Sequence, residues 1–546
     1  EFGVALDYTS VATFGDILLS DDASLDTSNT AIRFGVPEFT SGTIRVFGRN
    51  IQIANGSILA SRNNALDLAG GDIFMFAARE VEISEAHLAN MGGLSLPLNS
   101  AIETVSASDR PGGDIEIVAP RVLLRNGGTI RSNTALSTDL GTETVIPTVG
   151  RGGNITIRAR DRLELSGNPI FPNGTGAINE ISTFTGTGGD AGDIRIETGR
   201  FILQDGSTVS VESSSIRTRT AGINFADGNG GTIAITASEG IQIEGVGTSA
   251  TIEFDPKAMM PNIAPRSAIS ELSSASEGEG DAGAIVVTTP AVTLRDRGRI
   301  AVSSEGSGRA GNVELNVDRL TLEGSSIDAT SLSGRGGNIT LAISDRLLLR
   351  EDSEISTQSG TATSGGGDGG NIRTQAVTVS NIEDSNINAN AFAGNGGRIQ
   401  IETEGLFVGP DSIIEASSAL GVQGTVEISQ PDVQPGEAIV KLPDNPLNAS
   451  NNVAMGCSAM AQNRFTIVGR GGLPLSPNQL QVMSVWHDIR GLESGRVFSH
   501  RPSTPSDRGI DLPLVEARNW QRDEGGTISL VAGADYDRPS RSNCWQ

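Results

Sequence analysis

The chain has 546 residues, a formal net charge of −25 and only two lysines, Lys257 and Lys441. Aromatic residues make up 4 % of the sequence, whereas glycine occurs 69 times. Phosphate binding needs clustered positive charge, so this composition excludes a nucleic-acid-binding protein and a protein held on an anionic membrane surface. No run of about 20 apolar residues exists, and the sequence therefore predicts no membrane-spanning helix.

A short motif of glycine, a polar residue and an aliphatic residue recurs through most of the chain. Its clearest copy is Gly336-Gly337-Asn338-Ile339. The shortest intervals between copies are about 26 to 29 residues, which sets the length of one repeat unit. Each copy contains one anchor glycine: Gly15, Gly42, Gly71, Gly113, Gly153, Gly192, Gly231, Gly283, Gly311, Gly337, Gly370, Gly397 and Gly424.

Three short aliphatic runs follow each anchor glycine. The first has apolar residues two apart, as in Ile155 and Ile157, which is the signature of a β-strand. The second lies within ten residues, and examples are the pairs Leu163 with Leu165 and Val377 with Val379. A polar turn such as Asp205-Gly206-Ser207 leads to the third run, which contains Val209, Ile300, Ile327, Ile355 or Ile387.

One such unit cannot bury its apolar face alone, but stacked units form continuous ladders of like residues. Glycine, Asn and Asp at the corners tolerate the left-handed backbone of tight bends. The sequence therefore predicts an all-β parallel β-helix with three-strand coils and about thirteen coils, roughly 60 Å long. A β-propeller is disfavoured because its blades need about 40 residues or more.

Longer intervals between anchors predict insertions at about 88–111, 132–151, 168–190 and 244–281. Loops on a rigid scaffold usually carry binding specificity, so these four insertions are the candidates for a ligand surface. Residues 1–428 are expected to form the repeat domain, and 429–450 a linker rich in proline. Residues 451–546 form a distinct small segment that either caps the solenoid or docks a partner.

The only cysteines, Cys457 and Cys544, lie in this last segment. They predict one disulfide and an oxidising compartment, and the alternative is a pair of reduced, buried thiols. No signal peptide is visible, and Glu1 in place of Met indicates a processed, truncated or incomplete start.

The chain resembles the filamentous haemagglutinin-like exoproteins of cyanobacteria, which leave the cell by two-partner secretion. The resemblance covers nearly the whole chain. It rests on the Gly-Gly-Asn-Ile-Thr-Ile repeats, on Phe14-Gly15-Asp16-Ile17-Leu18-Leu19 near the start, and on the late cysteine. The more specific motifs are Phe465–Pro474 and Trp486-His487-Asp488-Ile489-Arg490.

This resemblance implies a right-handed β-helix, an outer-membrane transporter as secretion partner, and a location outside the cell or on its surface. The chain departs from the family in one respect. The N-terminal secretion domain of that family carries an Asn-Pro-Asn-Gly-type motif, and no such motif occurs in this sequence. The resemblance therefore applies to the region that follows the secretion domain.

Candidate chemistry is sparse. Asp205, Asp296, Asp352, Asp384 and Asp411 recur at the polar turn, where Asp is favoured because it bonds its own backbone. A stacked row of them could recruit Ca²⁺, although the glycine- and aspartate-rich calcium repeat is absent. The three histidines are far apart in sequence, and no catalytic residue or cofactor site is predicted.

The leading prediction is a secreted, non-catalytic surface or extracellular protein that acts as an adhesin or structural fibre. It would contact cell-surface or matrix components and would not bind nucleic acid. Two alternatives remain open. One is a carbohydrate-active β-helix enzyme, a polysaccharide lyase or hydrolase with an acidic groove, and the other is a subunit of a self-assembling filament or surface layer.

Overall fold

The computed structural model describes residues 14–28, 41–63, 69–91, 94–134, 137–139, 144–146, 150–186, 188–213, 228–255, 260–429, 519–522 and 528–531. Every regular element in these ranges is a β-strand, and none of them contains a helix that could span a membrane. The chain divides into two compact units, Glu1–Val433 and Gln434–Gln546. This boundary falls within the predicted linker at 429–450.

In the first unit, the repeats form two long parallel sheets, whose strands are numbered in chain order. The first sheet has thirteen strands, each beginning within two residues of an anchor glycine. They are β1 (Ile17–Leu19), β3 (Ile44–Ala54), β5 (Ile73–Ser84), β9 (Ile115–Arg125), β13 (Ile155–Ser166), β15 (Ile194–Gln204), β17 (Ile233–Glu244), β21 (Ile285–Arg295), β23 (Val313–Glu323), β25 (Ile339–Arg350), β27 (Asn371–Asn381), β29 (Arg398–Val408) and β31 (Thr425–Ser429).

The second sheet has twelve strands that alternate along the chain with those of the first. They are β2 (Ser24–Asp26), β4 (Ile58–Asn63), β8 (Ser100–Ser106), β10 (Gly128–Thr134), β14 (Glu180–Thr185), β16 (Thr208–Ser213), β20 (Glu271–Ser276), β22 (Arg299–Ser304), β24 (Ser326–Ser331), β26 (Glu354–Ser356), β28 (Asn386–Asn388) and β30 (Ile413–Glu415).

Four antiparallel pairs complete the set of strands. Three belong to the first unit: β6 (His87–Met91) with β7 (Leu94–Leu98), β11 (Ser137–Asp139) with β12 (Thr144–Ile146), and β18 (Val246–Asp255) with β19 (Met260–Ile269). In the second unit, β32 (Asn519–Arg522) pairs with β33 (Ile528–Val531).

Each coil but the last contributes one strand to each long sheet, and each strand pairs in parallel with its counterparts in the adjacent coils. We number the coils 1 to 13 after the thirteen strands of the first sheet. This arrangement is a parallel β-helix, which confirms the predicted fold and the number of coils. The right-handed winding stays a prediction of the family resemblance.

The coil differs from the prediction in its strand count. The two aliphatic runs predicted as separate strands, at Ile155 and at Leu163, lie in the single strand β13. A register shift between Ala159 and Arg162 marks the bend between them. Strand β13 pairs with its neighbours on both sides of this bend. The two predicted runs are therefore two inward-facing segments of one strand.

Equivalent aliphatic side chains from successive coils fill the interior. Nine successive members of one first-sheet column are each 1 % exposed or less: Ile115, Ile155, Ile194, Ile233, Ile285, Val313, Ile339, Ile372 and Ile399. The predicted third-run residues are all fully buried in the second sheet: Val209, Ile300, Ile327, Ile355 and Ile387. The prediction for coil 11 was wrong in part, because Val377 is 41 % exposed while Val379 and Asn381 point inward.

The anchor glycines have a steric role that the repeat pattern alone does not reveal: they allow the backbones of adjacent coils to approach closely. A Cβ on Gly337 would lie 1.8 Å from the carbonyl oxygen of Gly311, and one on Gly370 would lie 1.7 Å from that of Gly337. Their φ angles are not left-handed. The same close approach, at 1.5 to 2.4 Å, recurs at Gly71, Gly113, Gly153, Gly192, Gly231, Gly311 and Gly397.

Candidate interaction surface

The second turn of each coil joins its first-sheet strand to its second-sheet strand. In coils 2, 4 and 6 this turn is short, two or three residues long, and it contains the pair Asn55-Gly56, Asn126-Gly127 or Asp205-Gly206. All six residues have left-handed φ angles, between 51° and 93°. Asn, Asp and Gly tolerate this conformation, so the turn chemistry alone explains why they recur.

The recurring aspartates are part of the same pattern. The φ angles of Asp205, Asp296, Asp352 and Asp384 are 58°, 48°, 60° and 60°. Asp411 lies exposed at the corresponding turn of coil 12. Within the described residues, no group of three or more His, Cys, Asp or Glu side chains could hold a metal ion. The aspartate row is therefore accounted for by backbone conformation.

Coils 3, 5 and 7 have long second turns. We call these three connections, residues 85–99, 167–178 and 245–269, the loop surface. The predicted insertions at 88–111, 168–190 and 244–281 were too long, because each included a strand of the second sheet: β8, β14 or β20. These strands turn one large aliphatic residue and then small polar residues inward, so they lack the aliphatic alternation that marks β16 and β22.

The fourth predicted insertion, 132–151, lies elsewhere. It overlaps the last three residues of β10 and then contains the hairpin of β11 and β12. It therefore leaves the coil at the connection that leads to the next anchor glycine, Gly153. It does not belong to the loop surface.

Two asparagines join the three parts of the loop surface. Asn168 accepts a hydrogen bond from the backbone N–H of Thr248 and donates one to its carbonyl oxygen, both at 2.8 Å. Asn173 donates to the carbonyl oxygen of Ser95 at 3.2 Å. The Asn168 amide occupies both backbone groups of Thr248 as a neighbouring strand would. Connections that start two coils apart are thus tied into one surface.

A cleft of about 600 Å³ opens between two parts of the loop surface. Its walls include Ile170 and Val246, whose exposed fractions are 68 % and 47 %. Asp205 and Arg266 supply one charge of each sign, and Asp205 accepts a hydrogen bond from the Gly167 N–H at 2.8 Å. The cleft therefore combines apolar contact area with polar groups, as binding surfaces do.

Asn179 fixes the base of the middle connection of the loop surface, residues 167–178, which we call the central loop. This fully buried side chain accepts hydrogen bonds from the N–H groups of Gly127 and Gly128, at 3.0 and 3.1 Å. It donates to the carbonyl oxygens of Ser166 and Gly167, at 3.0 and 2.9 Å. Neither Asn168 nor Asn179 could be recognised from the sequence, because one asparagine inside an expected insertion carries no periodic signal.

A carboxyl group with a raised pKa, Glu212, lies away from the loop surface in β16. Burial, together with the neighbouring carboxylates of Glu277, Glu180 and Glu305, raises the pKa of Glu212 to about 7. In contrast, Glu180 is paired with Arg131 at 2.6 Å. Burial raises its pKa, but the Arg131 charge and the hydrogen bonds from Ser182 and Arg131 together outweigh burial, and the pKa stays below its ordinary value.

The remaining sequence candidates give no further site. The imidazole Nε2 of His87 lies 3.4 Å from the carboxylate of Asp22, and both side chains are largely exposed. Cys457, Cys544, His487 and His500 lie outside the described residues. The predicted disulfide therefore stays a prediction.

Comparison of the chain with models of known families, with curated proteins and with solved structures found no match.

Proposed function

We propose that this chain is a secreted, non-catalytic surface or extracellular protein of the filamentous haemagglutinin-like type, with an adhesive or structural role. The observation that carries the proposal is the loop surface, in which three connections on coils 3, 5 and 7 are hydrogen-bonded to one another. Stacked coils supply a stiff support, since each coil is held by backbone pairing to its neighbours. Loops on such a support are the usual place for binding contacts.

The proposal includes a route and a set of partners. The family resemblance supports export through an outer-membrane two-partner secretion transporter, in a cyanobacterium, to the cell surface or the medium. The expected partners are cell-surface or extracellular matrix components. A net charge of −25 disfavours nucleic acid as a ligand.

The experiment is to remove the loop surface and keep the coils. Residues 85–99, 167–178 and 245–269 are each replaced by Asp-Gly, the turn that coil 6 uses at Asp205-Gly206. Ser100, Asn179 and Ser270, which begin the next buried segment, are retained. We expect the shortened protein to keep its β-sheet circular dichroism and to lose most binding to the cells or matrix that retain the full chain.

A matched control separates the loop surface from the other insertion. In the control, residues 137–146 are replaced by a short Gly-Ser linker, which removes the hairpin of β11 and β12. This variant is expected to bind as the full chain does. Undiminished binding by the variant without the loop surface would contradict the proposal. Depolymerisation of acidic polysaccharides by the purified full chain would instead establish the enzymatic alternative.

One observation favours the self-assembly alternative. Both terminal coils of the first unit expose aliphatic side chains: Leu18 is 63 % and Leu25 44 % exposed in coil 1, whereas Val426 and Ile428 are each 42 % exposed in coil 13. Exposed strand edges invite another chain to pair. Carboxylates oppose this contact, because exposed Asp22 lies in coil 1 and exposed Glu415 lies in coil 12.

Sedimentation measures which effect dominates. We expect a monomer at pH 7 and low salt, where the like charges at the two ends repel. Concentration-dependent growth of filaments under these conditions would favour the assembly alternative over a solitary surface protein.

A further inference from the structure

A long polar groove runs along the β-helix beside the anchor glycines of coils 8 to 13. It has a volume of about 850 Å³ and extends from Thr232 to Thr425. With about 4.8 Å between coils, its length is about 30 Å. The floor is the backbone of the paired glycines, and side chains from successive coils form the two walls. The glycines are already explained by the close stacking of the coils. The side chains of the two walls therefore determine which ligands the groove can bind.

One wall is a ladder of asparagines. The Oδ1 atom of Asn338 accepts hydrogen bonds from the backbone N–H and the Nδ2 of Asn371, at 3.1 and 2.9 Å. Asn338 in turn donates from Nδ2 to the Oδ1 of Asn312 at 3.1 Å. The acceptor capacity of Asn338 is thus used, while a primary amide has two N–H donors and the ladder takes one. The wall therefore presents N–H donors at the coil spacing.

The opposite wall supplies positive charge at two adjacent coils. Arg309 and Arg335 are exposed and line the groove immediately before coils 9 and 10. Arg335 reaches Asp368 only at 3.9 Å, and Arg309 has no ion pair with any described residue. On the same wall, Asp281 lies one coil before Arg309, and Asp368 lies one coil after Arg335. A donor-rich groove with two neighbouring guanidinium groups fits a ligand rich in oxygen acceptors.

We propose that this groove binds a linear anionic polysaccharide whose sugar rings lie along the glycine floor, with carboxylate groups on Arg309 and Arg335. The coil spacing is close to the length of one pyranose residue in an extended chain, so each coil faces one sugar. Ring hydroxyl and carboxylate oxygens accept from the asparagine wall and from the guanidinium groups.

The observations favour a polysaccharide over nucleic acid. Nucleic acids need a continuous basic track, and single strands also need aromatic platforms for their bases. The groove lining contains no aromatic residue, and its two central cations are flanked by Asp281 and Asp368. The two adjacent guanidinium groups match the carboxylates of two successive uronate sugars, while the amide donors and the Asp281 and Asp368 carboxylates match ring hydroxyl groups, which both accept and donate hydrogen bonds.

The test uses the full chain and oligogalacturonate as probe, with binding followed by isothermal titration calorimetry. The groove variant carries Arg309→Gln and Arg335→Gln. The matched control carries Arg319→Gln and Arg346→Gln, which change the same charge on the same two coils but lie on the first sheet, where they pair in register. We expect the groove variant to bind at least tenfold more weakly and the control variant to bind as the unchanged chain does.

Other ligands set the specificity. A neutral gluco-oligosaccharide and a single-stranded oligonucleotide of equal length are expected to bind more weakly than oligogalacturonate. Equal losses in the two variants, no binding of oligogalacturonate, or tighter binding of the oligonucleotide would each overturn the proposal. The protein without the loop surface should still bind oligogalacturonate, because the groove lies on other residues. The failure of either proposal is therefore distinguishable from the failure of the other.

Discussion

At the scale of single residues, the anchor glycines set how closely the coils stack. A Cβ on Gly311 would lie 1.5 Å from the carbonyl oxygen of Gly283, and one on Gly337 would lie 1.8 Å from that of Gly311. Both atoms are backbone, so no side-chain rotation can relieve the overlap. A larger residue requires the two coils to move apart, which weakens the pairing on either side.

We therefore expect Gly337→Ala to lower the free energy of unfolding by about 1–3 kcal/mol, as other overpacked sites do. Gly405→Ala is the control, since the nearest atom to its Cβ would be Phe407 Cε2 at an ordinary 3.6 Å. Urea denaturation of the full chain measures both. Equal effects of the two substitutions would contradict the steric role of the anchor.

The Glu212 carboxyl gives the stability a pH dependence. Its pKa in the folded chain is about 7, above the ordinary value of 4.5, mainly because of burial and Glu277. The folded state therefore holds this proton more tightly than the unfolded state does. The stabilisation is fully present below about pH 4.5 and is lost as the pH rises through about 7.

Glu212→Gln removes this titration. Between pH 5 and pH 8 we expect the melting temperature of the unchanged chain to fall more steeply than that of the variant, so that the variant gains relative stability at the higher pH. Thermal melts followed by circular dichroism at several pH values supply the comparison. Parallel curves for the two proteins would show that the carboxyl does not titrate in this range.

Some of these residue roles could be predicted from the sequence and others could not. Aliphatic residues two apart identify inward positions such as Ile155 and Ile157, because alternation follows directly from strand geometry. The steric role of Gly337 depends on the distance to another coil, which no local pattern records. In coil 11 the sequence suggested Val377 and Val379 as the inward pair, whereas the structure buries Val379 and Asn381. The polar side chain of Asn381 interrupts the aliphatic column, so the pattern could not identify it as an inward residue.

At the scale of elements, the second-sheet strands of coils 3, 5 and 7 illustrate the limit of periodicity. Strand β8 has one large inward aliphatic residue, Ile102, followed by Thr104 and Ser106, and all three are buried. The hydroxyl of Thr104 donates to the carbonyl oxygen of Gly113 at 2.8 Å, so the anchor glycine supplies the hydrogen-bond acceptor that this buried hydroxyl needs. A strand with inward hydroxyl groups is indistinguishable from loop sequence until its partners are known.

Asn179 connects the central loop to three coils and provides a test at this scale. Asn179→Ala leaves the N–H groups of Gly127 and Gly128 buried without their acceptor. Each unsatisfied group costs about 1–3 kcal/mol. We expect faster hydrogen exchange in β10, β14 and β16, with little change in β25 and β27.

Asn173→Ala is the matched control for this test. Asn173 is exposed, and its side chain bonds Ser95 across the loop surface and Thr175 within its own loop, rather than the coils. The control should loosen residues 85–99 and leave the exchange of the coil strands unchanged. If β10 and β14 exchanged hydrogen in Asn179→Ala as slowly as in the unchanged chain, the buried Asn179 amide would not be the group that holds the base of the loop.

At the scale of the whole molecule, charge and repeats are distributed unevenly along the chain. Residues 434–546 contain 11 Lys and Arg and 11 Asp and Glu, so the net charge of −25 belongs entirely to residues 1–433. Like charge along the stacked coils keeps neighbouring molecules apart in solution. The sequence predicted the class of fold and the thirteen coils, because the same motif returns often enough to fix the unit.

The loop surface could be predicted only as a set of insertions. Sequence spacing shows that extra residues are present, but not at which corner of the coil they leave. Three of the four insertions share the second turn, and the bonds from Asn168 and Asn173 that join them span 80 and 78 residues. Contacts between loops of different coils arise only when the coils stack, so no local sequence pattern predicts them.

Cysteine cross-linking tests the stacking of the coils most directly, in a chain with Cys457 and Cys544 replaced by Ser. Thr288 and Asn316 face each other in adjacent coils, while Ala342 lies one coil further in the same column. Disulfides need Cα atoms about 4.4–6.8 Å apart. The pair Thr288→Cys with Asn316→Cys should therefore close readily, and the pair Thr288→Cys with Ala342→Cys should not, whereas equal or reversed cross-linking of the two pairs would contradict the continuous parallel β-helix.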